Sequence, residues 1–157
     1  MAMAAVHPRV LAFLGRALSL ELSAVQQYMT QACLVELWGD LNAATRFREE
    51  TVEELQHAER IVQRMLALGV APASSQLRPV QDAVDLIGLL SLNATLENDL
   101  INHYSDATSF CVMIGDDENA NFFRALWNEE LHHGQELHSW LESLATNGAP
   151  SQERARF

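Results

Sequence analysis

Residues 123–144 read FRALWNEELHHGQELHSWLESL, and this stretch decides the fold. Its apolar residues recur at alternating steps of three and four, which is the period of a helix with one buried face. Two polar residues, Glu130 and His133, interrupt that face. Burying a carboxylate or an imidazole without a partner is costly, so each needs one inside the protein. The stretch therefore predicts a long helix with chemically active groups on its buried side.

The same period extends through most of the chain, without a convincing alternating strand pattern. It predicts four helices, at about 5–37, 41–69, 82–113 and 116–146. Gly39 with Asp40, and Gly115 with Asp116, mark two short turns, because glycine suits a helix end and aspartate suits a helix start. A longer stretch at 70–80 contains two prolines. This layout predicts an all-α, ferritin-like four-helix bundle in up-down-down-up order, with a long crossover between the second and third helices.

We expect one domain, the bundle at 1–148, followed by a short polar tail at 149–157. Two cysteines, Cys33 and Cys111, are too few and too far apart for a disulfide framework or a zinc knuckle. We interpret both as reduced thiols that are mostly buried.

The 157 residues have a net charge of -11 and contain no lysine. This balance argues against nucleic acid and anionic membranes as partners, because both bind basic patches. It suits a protein that attracts cations, although an acidic surface kept for solubility explains the charge equally well. The amino terminus lacks a signal-peptide pattern, and no apolar run is long enough to span a membrane. We therefore expect a cytoplasmic protein.

Each predicted helix carries one glutamate on its apolar face, and the second and fourth helices add a histidine three residues later. These six residues are Glu21, Glu54, His57, Glu97, Glu130 and His133. Any one of them has an ordinary explanation, since a lone glutamate on a helix is usually solvated and a lone core histidine is usually hydrogen-bonded. The same spacing also arises by chance at Glu129 and His132, on a face that becomes polar towards its carboxyl end.

The spacing of the four glutamates predicts that they meet. In a tight antiparallel hairpin, residues at one level lie equally far from the turn. The midpoint of Glu21 and Glu54 falls next to Trp38, and 33 residues separate the two; Glu97 and Glu130 are also 33 residues apart, around the second turn. All four carboxylates should therefore lie in one layer, about 24 Å from the turns at about 1.5 Å per residue.

Four buried carboxylates need cations, because burying each charge alone costs several kcal/mol. Two divalent ions cancel the four charges and leave the two imidazoles as neutral ligands. A set of carboxylates and imidazoles without thiolates suits iron or manganese, although zinc can also bind. One glutamate from each of two helices, with a Glu-x-x-His motif from each of the other two, is the ligand pattern of di-iron bundle proteins.

With these residues in place, the chain resembles the bacterioferritins. The resemblance extends over about 1–148, and its most specific parts are ELSAVQQY at 21–28, the stretch 50–60, Leu96-Glu97, and Glu130 with His133. It implies a ferroxidase for iron storage that oxidises Fe(II) with O2 or H2O2. It also implies a homo-oligomer with a dimer as the building unit, either a 24-subunit cage or a smaller assembly.

The resemblance also assigns roles to the six residues. Glu54 and Glu130 would bridge two iron ions, Glu21 and His57 would complete one iron site, and Glu97 and His133 would complete the other. Tyr28 matches a tyrosine that donates an electron during oxygen reduction, and ordinary core packing explains it equally well. Glu49 and Glu53 match residues that handle iron between the centre and the cavity, but we favour a solvated helix surface for both.

Two features depart from the family pattern. Bacterioferritins carry a haem-binding methionine immediately after the glutamate of the second helix, where this chain has Leu55, so we expect no haem. They also have a short fifth helix, for which this chain offers only 149–157.

Two other functions stay open from the sequence. One is a non-storage di-iron oxidase or peroxidase with a permanent di-iron cofactor. The other is a non-enzymatic helical module with a structural metal.

Overall fold

The computed structural model describes residues 5–147. These residues form four long helices and no strand. The helices are α1 (Pro8–Leu37), α2 (Leu41–Ala67), α3 (Leu86–Met113) and α4 (Asp117–Asn147). The predicted all-α four-helix bundle is confirmed. Between residues 5 and 147, none of the helices combines the length and the apolar character that crossing a membrane requires. The predicted tail at 149–157 lies outside the described residues.

Two helical hairpins form the bundle, α1 with α2 and α3 with α4, and α1 also packs against α3. A long crossover connects the hairpins and runs along α1. Its backbone amides at Gln76 and Arg78 each donate a hydrogen bond of 3.0 Å, to the hydroxyls of Ser19 and Ser23 respectively. These contacts hold the connection against the outside of the bundle, so the interior contains only helices.

The short turns have the predicted chemistry. Gly39 and Gly115 have φ angles of 84° and 73°, which glycine adopts without the steric cost that a side chain would add. Asp40 caps α2 by accepting a hydrogen bond of 3.0 Å from the amide of Ala43. Because both turns are tight, the helices of each hairpin stay level with each other along their length.

The predicted helix starts were wrong by a few residues in α1 and α3. Helix α3 begins at Leu86 rather than at 82, because the side chain of Asp85 accepts a hydrogen bond of 2.8 Å from the amide of Gly88. Helix α1 begins at Pro8, whose missing amide suits a first helical turn, and the ring of His7 caps it. These local caps set the first residues of α1 and α3, although the apolar period of the sequence begins a few residues before each of them.

The expected burial of the cysteines was right for Cys111 and wrong for Cys33, which is exposed. Ala32 and Val35 occupy the buried face of α1 at this level, so position 33 faces away from the core.

A buried polar network joins α1 to α3 in the interior. The side-chain oxygen of Asn93 accepts hydrogen bonds of 2.8 Å from the amides of Gln27 and Gln31. The amide of Asn93 in turn donates one of 2.7 Å to Gln31. The network lies one helical turn from Glu97 and therefore fixes α1 and α3 beside that carboxylate.

Candidate metal centre

All six sequence-predicted ligands converge in the middle of the bundle. Their ligand atoms form two overlapping groups, and within each group all of them lie within 4.8 Å of one another. The first group is Glu21, Glu54, His57 and Glu130, and the second is Glu54, Glu97, Glu130 and His133. Glu54 and Glu130 belong to both groups, so the arrangement has two subsites with two shared carboxylates.

The four carboxylates are deeply buried. Glu21, Glu54 and Glu130 are 0% exposed and Glu97 is 5% exposed. Each helix presents its glutamate on the same face as its core residues, which places all four side chains on the bundle axis. One oxygen of each carboxylate, Oε2, is buried and accepts no hydrogen bond from residues 5–147. Four unsatisfied oxygens in one place are rare in native proteins, where buried polar groups nearly always have partners.

Both histidines direct Nδ1 into this cluster. Nδ1 of His57 lies 2.8 Å from Glu130, and Nδ1 of His133 lies 3.0 Å from Glu54. The two rings stack with 5.6 Å between their centroids and an interplanar angle of 15°. Each histidine thus reaches across to the shared carboxylate of the other hairpin.

The outer ring nitrogens face acidic side chains at the surface. Nε2 of His133 lies 2.7 Å from Glu53, which is exposed on the surface of α2, as predicted. Nε2 of His57 lies 4.0 Å from Glu129, and Glu129 in turn pairs with Arg60 at 2.6 Å. An acidic partner on the outer nitrogen fixes the orientation of a metal-binding histidine.

The chance pair Glu129 and His132 lies outside the cluster. His132 is exposed and pairs with Glu136 at 3.1 Å on the surface of α4. The period of the apolar face therefore distinguishes His133, which lies in the cluster, from the exposed His132 beside it in the sequence.

Two buried tyrosines complete the cluster. The hydroxyl of Tyr28 donates a hydrogen bond of 2.6 Å to Glu97, and the hydroxyl of Tyr104 donates one of 2.6 Å to Glu21. Tyr28 is among the predicted site residues, whereas Tyr104 is not. The signal was present, because each tyrosine follows the glutamate of its own helix by seven residues.

Burial and mutual repulsion control the protonation of the outer glutamates. Burial first, and then the negative charges of Glu54 and Glu130, raise the pKa of Glu21 well above its ordinary value. Burial and the same two neighbours also raise the pKa of Glu97. In the polypeptide alone, both carboxyl groups therefore tend to keep a proton.

The histidines carry the compensating positive charge. Burial alone would lower their pKa values, but hydrogen bonds with Glu130 and Glu54 outweigh it and raise the pKa of both His57 and His133 to about 10. Burial would likewise raise the pKa of Glu130, yet its hydrogen bonds with His133 and His57 hold it well below the ordinary value. Protons thus supply part of the charge that cations would supply in a metal-loaded site.

The residues fit a pair of divalent metal ions. Oxygen and imidazole donors without thiolates suit iron and manganese, and the four unsatisfied carboxylate oxygens are free to bind the ions.

A surface cavity of about 520 Å³ between α2 and α4 is bounded by His57, His133 and Glu53. A neighbouring groove of about 710 Å³ contains Glu49 and Glu53. The outer side of the cluster is therefore next to acidic surface that attracts cations.

A model of the ferritin-like domain matches residues 11–146. The bacterioferritin of Rhodobacter capsulatus is 34% identical over 125 residues, which cover 80% of this chain and 78% of the relative. That of Brucella melitensis is 30% identical over 142 residues, covering 90% and 88%. The chain belongs to the bacterioferritin family. The resemblance inferred from the sequence is therefore confirmed.

Solved bacterioferritin structures have the same fold. That of Rhodobacter capsulatus superposes with a TM-score of 0.88 at 30% identity, over 92% of this chain and 91% of the other. It is described as having a metal-free dinuclear site and a haem iron in a crystallographic special position. Mycobacterium tuberculosis BfrA superposes with a TM-score of 0.86 at 26% identity, over the same shares.

Metal binding should release protons. With pKa values near 10, His57 and His133 are protonated at pH 7, and the raised pKa values of Glu21 and Glu97 add bound protons. Because ligands bind metals without their protons, saturation with Zn(II) should release at least the two protons of the histidines, and lowering the pH should weaken binding. Calorimetry in buffers of different ionisation enthalpy measures this number.

A His132→Ala variant is the matched control, because it removes an exposed histidine outside the cluster and should leave the proton count unchanged. Release of one proton or none on saturation would contradict the assigned protonation.

Proposed function

We propose that this protein is a ferroxidase, which oxidises Fe(II) with O2 or H2O2 at the six-residue centre. The observation that carries this proposal is the pair of overlapping subsites, which share Glu54 and Glu130 and offer four unsatisfied carboxylate oxygens. Two ions that share carboxylates lie about 3.5–4 Å apart, close enough to act together on one small molecule. Iron is the substrate, and each ion supplies one electron.

The position of each of the six ligands determines which of the two ions it binds. Glu54 and Glu130 bridge the two ions, Glu21 and His57 hold one, and Glu97 and His133 hold the other. The four carboxylates balance the charge of two Fe(II) ions, so metal binding removes the repulsion among them. Glu53 orients His133 through its outer nitrogen, at 2.7 Å.

Family membership supports the rest of the proposal. We assign the protein to iron storage and detoxification, in a cytoplasmic homo-oligomer built from dimers, with one bundle domain at about 1–148 in each chain. The acidic groove beside the centre, with Glu49 and Glu53, gives Fe(II) an attractive surface on its approach.

We also propose that the protein holds no haem at the usual position of the family. Leu55 lies on α2 with 51% of its surface exposed, and its aliphatic side chain has no lone pair for iron. Haem added to the purified protein should give no Soret shift that indicates thioether ligation. A Leu55→Met variant whose chains pair across this surface should show that Soret shift when haem is added. A thioether-type spectrum in the unsubstituted protein would contradict the proposal.

Iron loading tests the ferroxidase function. Anaerobic protein is mixed with increasing Fe(II) and then with O2, and the fast increase in absorbance of ferric iron is measured. We expect a fast phase that saturates near two irons per chain. Glu130→Gln should slow it by more than about 100-fold, since even loss of a group that supports a ligand costs up to that much.

The matched control is Glu142→Gln, an exposed residue of the same helix α4 that pairs with the exposed His138 at 3.1 Å, away from the six ligands. It should retain the fast phase. Continued uptake of many irons after the first two would support storage. Saturation at two irons would favour the alternative, an oxidase or peroxidase with a permanent di-iron cofactor. No fast phase in the unsubstituted protein, or equal rates in both variants, would contradict a ferroxidase at this site.

A further inference from the structure

The chain has two tyrosines in all, and each donates a hydrogen bond to a carboxylate of the candidate metal centre. Tyr28 on α1 donates to Glu97 on α3, and Tyr104 on α3 donates to Glu21 on α1, each at 2.6 Å. Glu97 belongs to the subsite of His133 and Glu21 belongs to the subsite of His57. Each subsite therefore has its own tyrosine, one hydrogen bond away from a metal-binding carboxylate.

Both tyrosines are enclosed by the core. Tyr28 is 1% exposed and Tyr104 is 0% exposed. The ring of Tyr104 lies 6.4 Å from that of Phe123 and 6.1 Å from that of His103. Solvent and dissolved reductants thus have no direct access to either ring, so an oxidised tyrosine at these positions would be protected.

The two positions are equivalent in geometry. The hydrogen-bond lengths are the same, the sequence steps from glutamate to tyrosine are the same, and both hydroxyls cross from one hairpin to the other. If one tyrosine can pass an electron through its carboxylate to the metal site, the other has the same route.

We propose that Tyr104 is a second one-electron donor, equivalent to Tyr28, and that both tyrosines act with two Fe(II) ions to reduce one O2 to water. The inference rests on the proposed ferroxidase function. Complete reduction of O2 requires four electrons, and two Fe(II) ions supply only two of them. The two tyrosines supply the remaining two.

The reaction balances. Each Fe(II) becomes Fe(III), and each tyrosine loses the hydrogen of its hydroxyl, the electron going to oxygen and the proton leaving along the hydrogen bond to the carboxylate. O2 gains four electrons and four protons, two of them from the tyrosines and two from solvent. The products are two water molecules, two Fe(III) ions and two neutral tyrosyl radicals. H2O2 needs only two electrons, so the tyrosines stay reduced when it is the oxidant.

The decisive variant is Tyr28→Phe, because Tyr104 is then the only tyrosine in the chain. The variant is loaded anaerobically with three Fe(II) per chain, so that the third ion supplies the electron that Tyr28 no longer gives. It is then mixed with O2, frozen during the fast phase and measured by electron paramagnetic resonance, beside the unsubstituted protein loaded in the same way. We expect a tyrosyl radical, with about half the yield of the unsubstituted protein. Tyr104→Phe is the matched variant and should give the same yield, from Tyr28.

Three further measurements separate electron donation from simple hydrogen bonding. H2O2 in place of O2 should give no tyrosyl radical in any of these proteins. The double variant Tyr28→Phe/Tyr104→Phe should release about one H2O2 per two Fe(II) oxidised by O2, and the unsubstituted protein should release little. Zn(II) binding should be retained in each variant, which shows that the site is still folded.

A Tyr28→Phe protein that oxidises iron without forming a radical, while Tyr104→Phe keeps the full yield, would overturn the inference and leave the ferroxidase intact. Equal radical yields with O2 and H2O2 would overturn it as well. Absence of rapid iron oxidation in the unsubstituted protein would overturn the proposed function and this inference together.

Discussion

Repulsion among four buried carboxylates is the constraint on which this structure depends. Glu21, Glu54 and Glu130 are fully buried, and Glu97 nearly so, in a core that otherwise consists mainly of apolar side chains. Such a group of charges is strongly destabilising unless positive charge offsets it. Protons on the two histidines and the outer carboxyls offset part of it in the polypeptide, and divalent metal ions would offset all of it. The site is thus arranged to exchange protons for metal ions.

The geometry of the bundle brings the four carboxylates to one level and holds them there. Two tight turns keep Glu21 level with Glu54 and Glu97 level with Glu130, and the crossover along α1 joins the hairpins without entering the core. The network around Asn93 fixes α1 and α3 next to the cluster. Each hairpin supplies one outer carboxylate, one shared carboxylate, one histidine and one tyrosine, so the site has an approximate two-fold symmetry.

The sequence predicts the parts of this structure that follow from period and spacing. Six polar residues on apolar faces, at matched distances from two marked turns, are enough to predict the bundle and the set of converging ligands. The first residues of α1 and α3 are set by local caps such as Asp85, which the apolar period does not detect.

Roles that depend on side-chain direction are harder to predict. Glu53 is on the surface, as expected, but its contact with His133 depends on rotamers and on the position of another helix. The exposure of Cys33 follows from the rotation of α1 about its axis, which a mostly apolar stretch leaves undefined. Tyr104 looks like an ordinary core residue until its hydroxyl is seen next to Glu21.

The most direct test of the central claim is to locate iron in the protein. Crystals soaked in Fe(II) without oxygen, and measured by anomalous diffraction at the iron edge, should show two iron peaks per chain about 3.5–4 Å apart, both in contact with Glu54 and Glu130. A single peak would contradict the account. Iron bound only in the acidic groove at Glu49 and Glu53, with none among the four buried carboxylates, would contradict it equally.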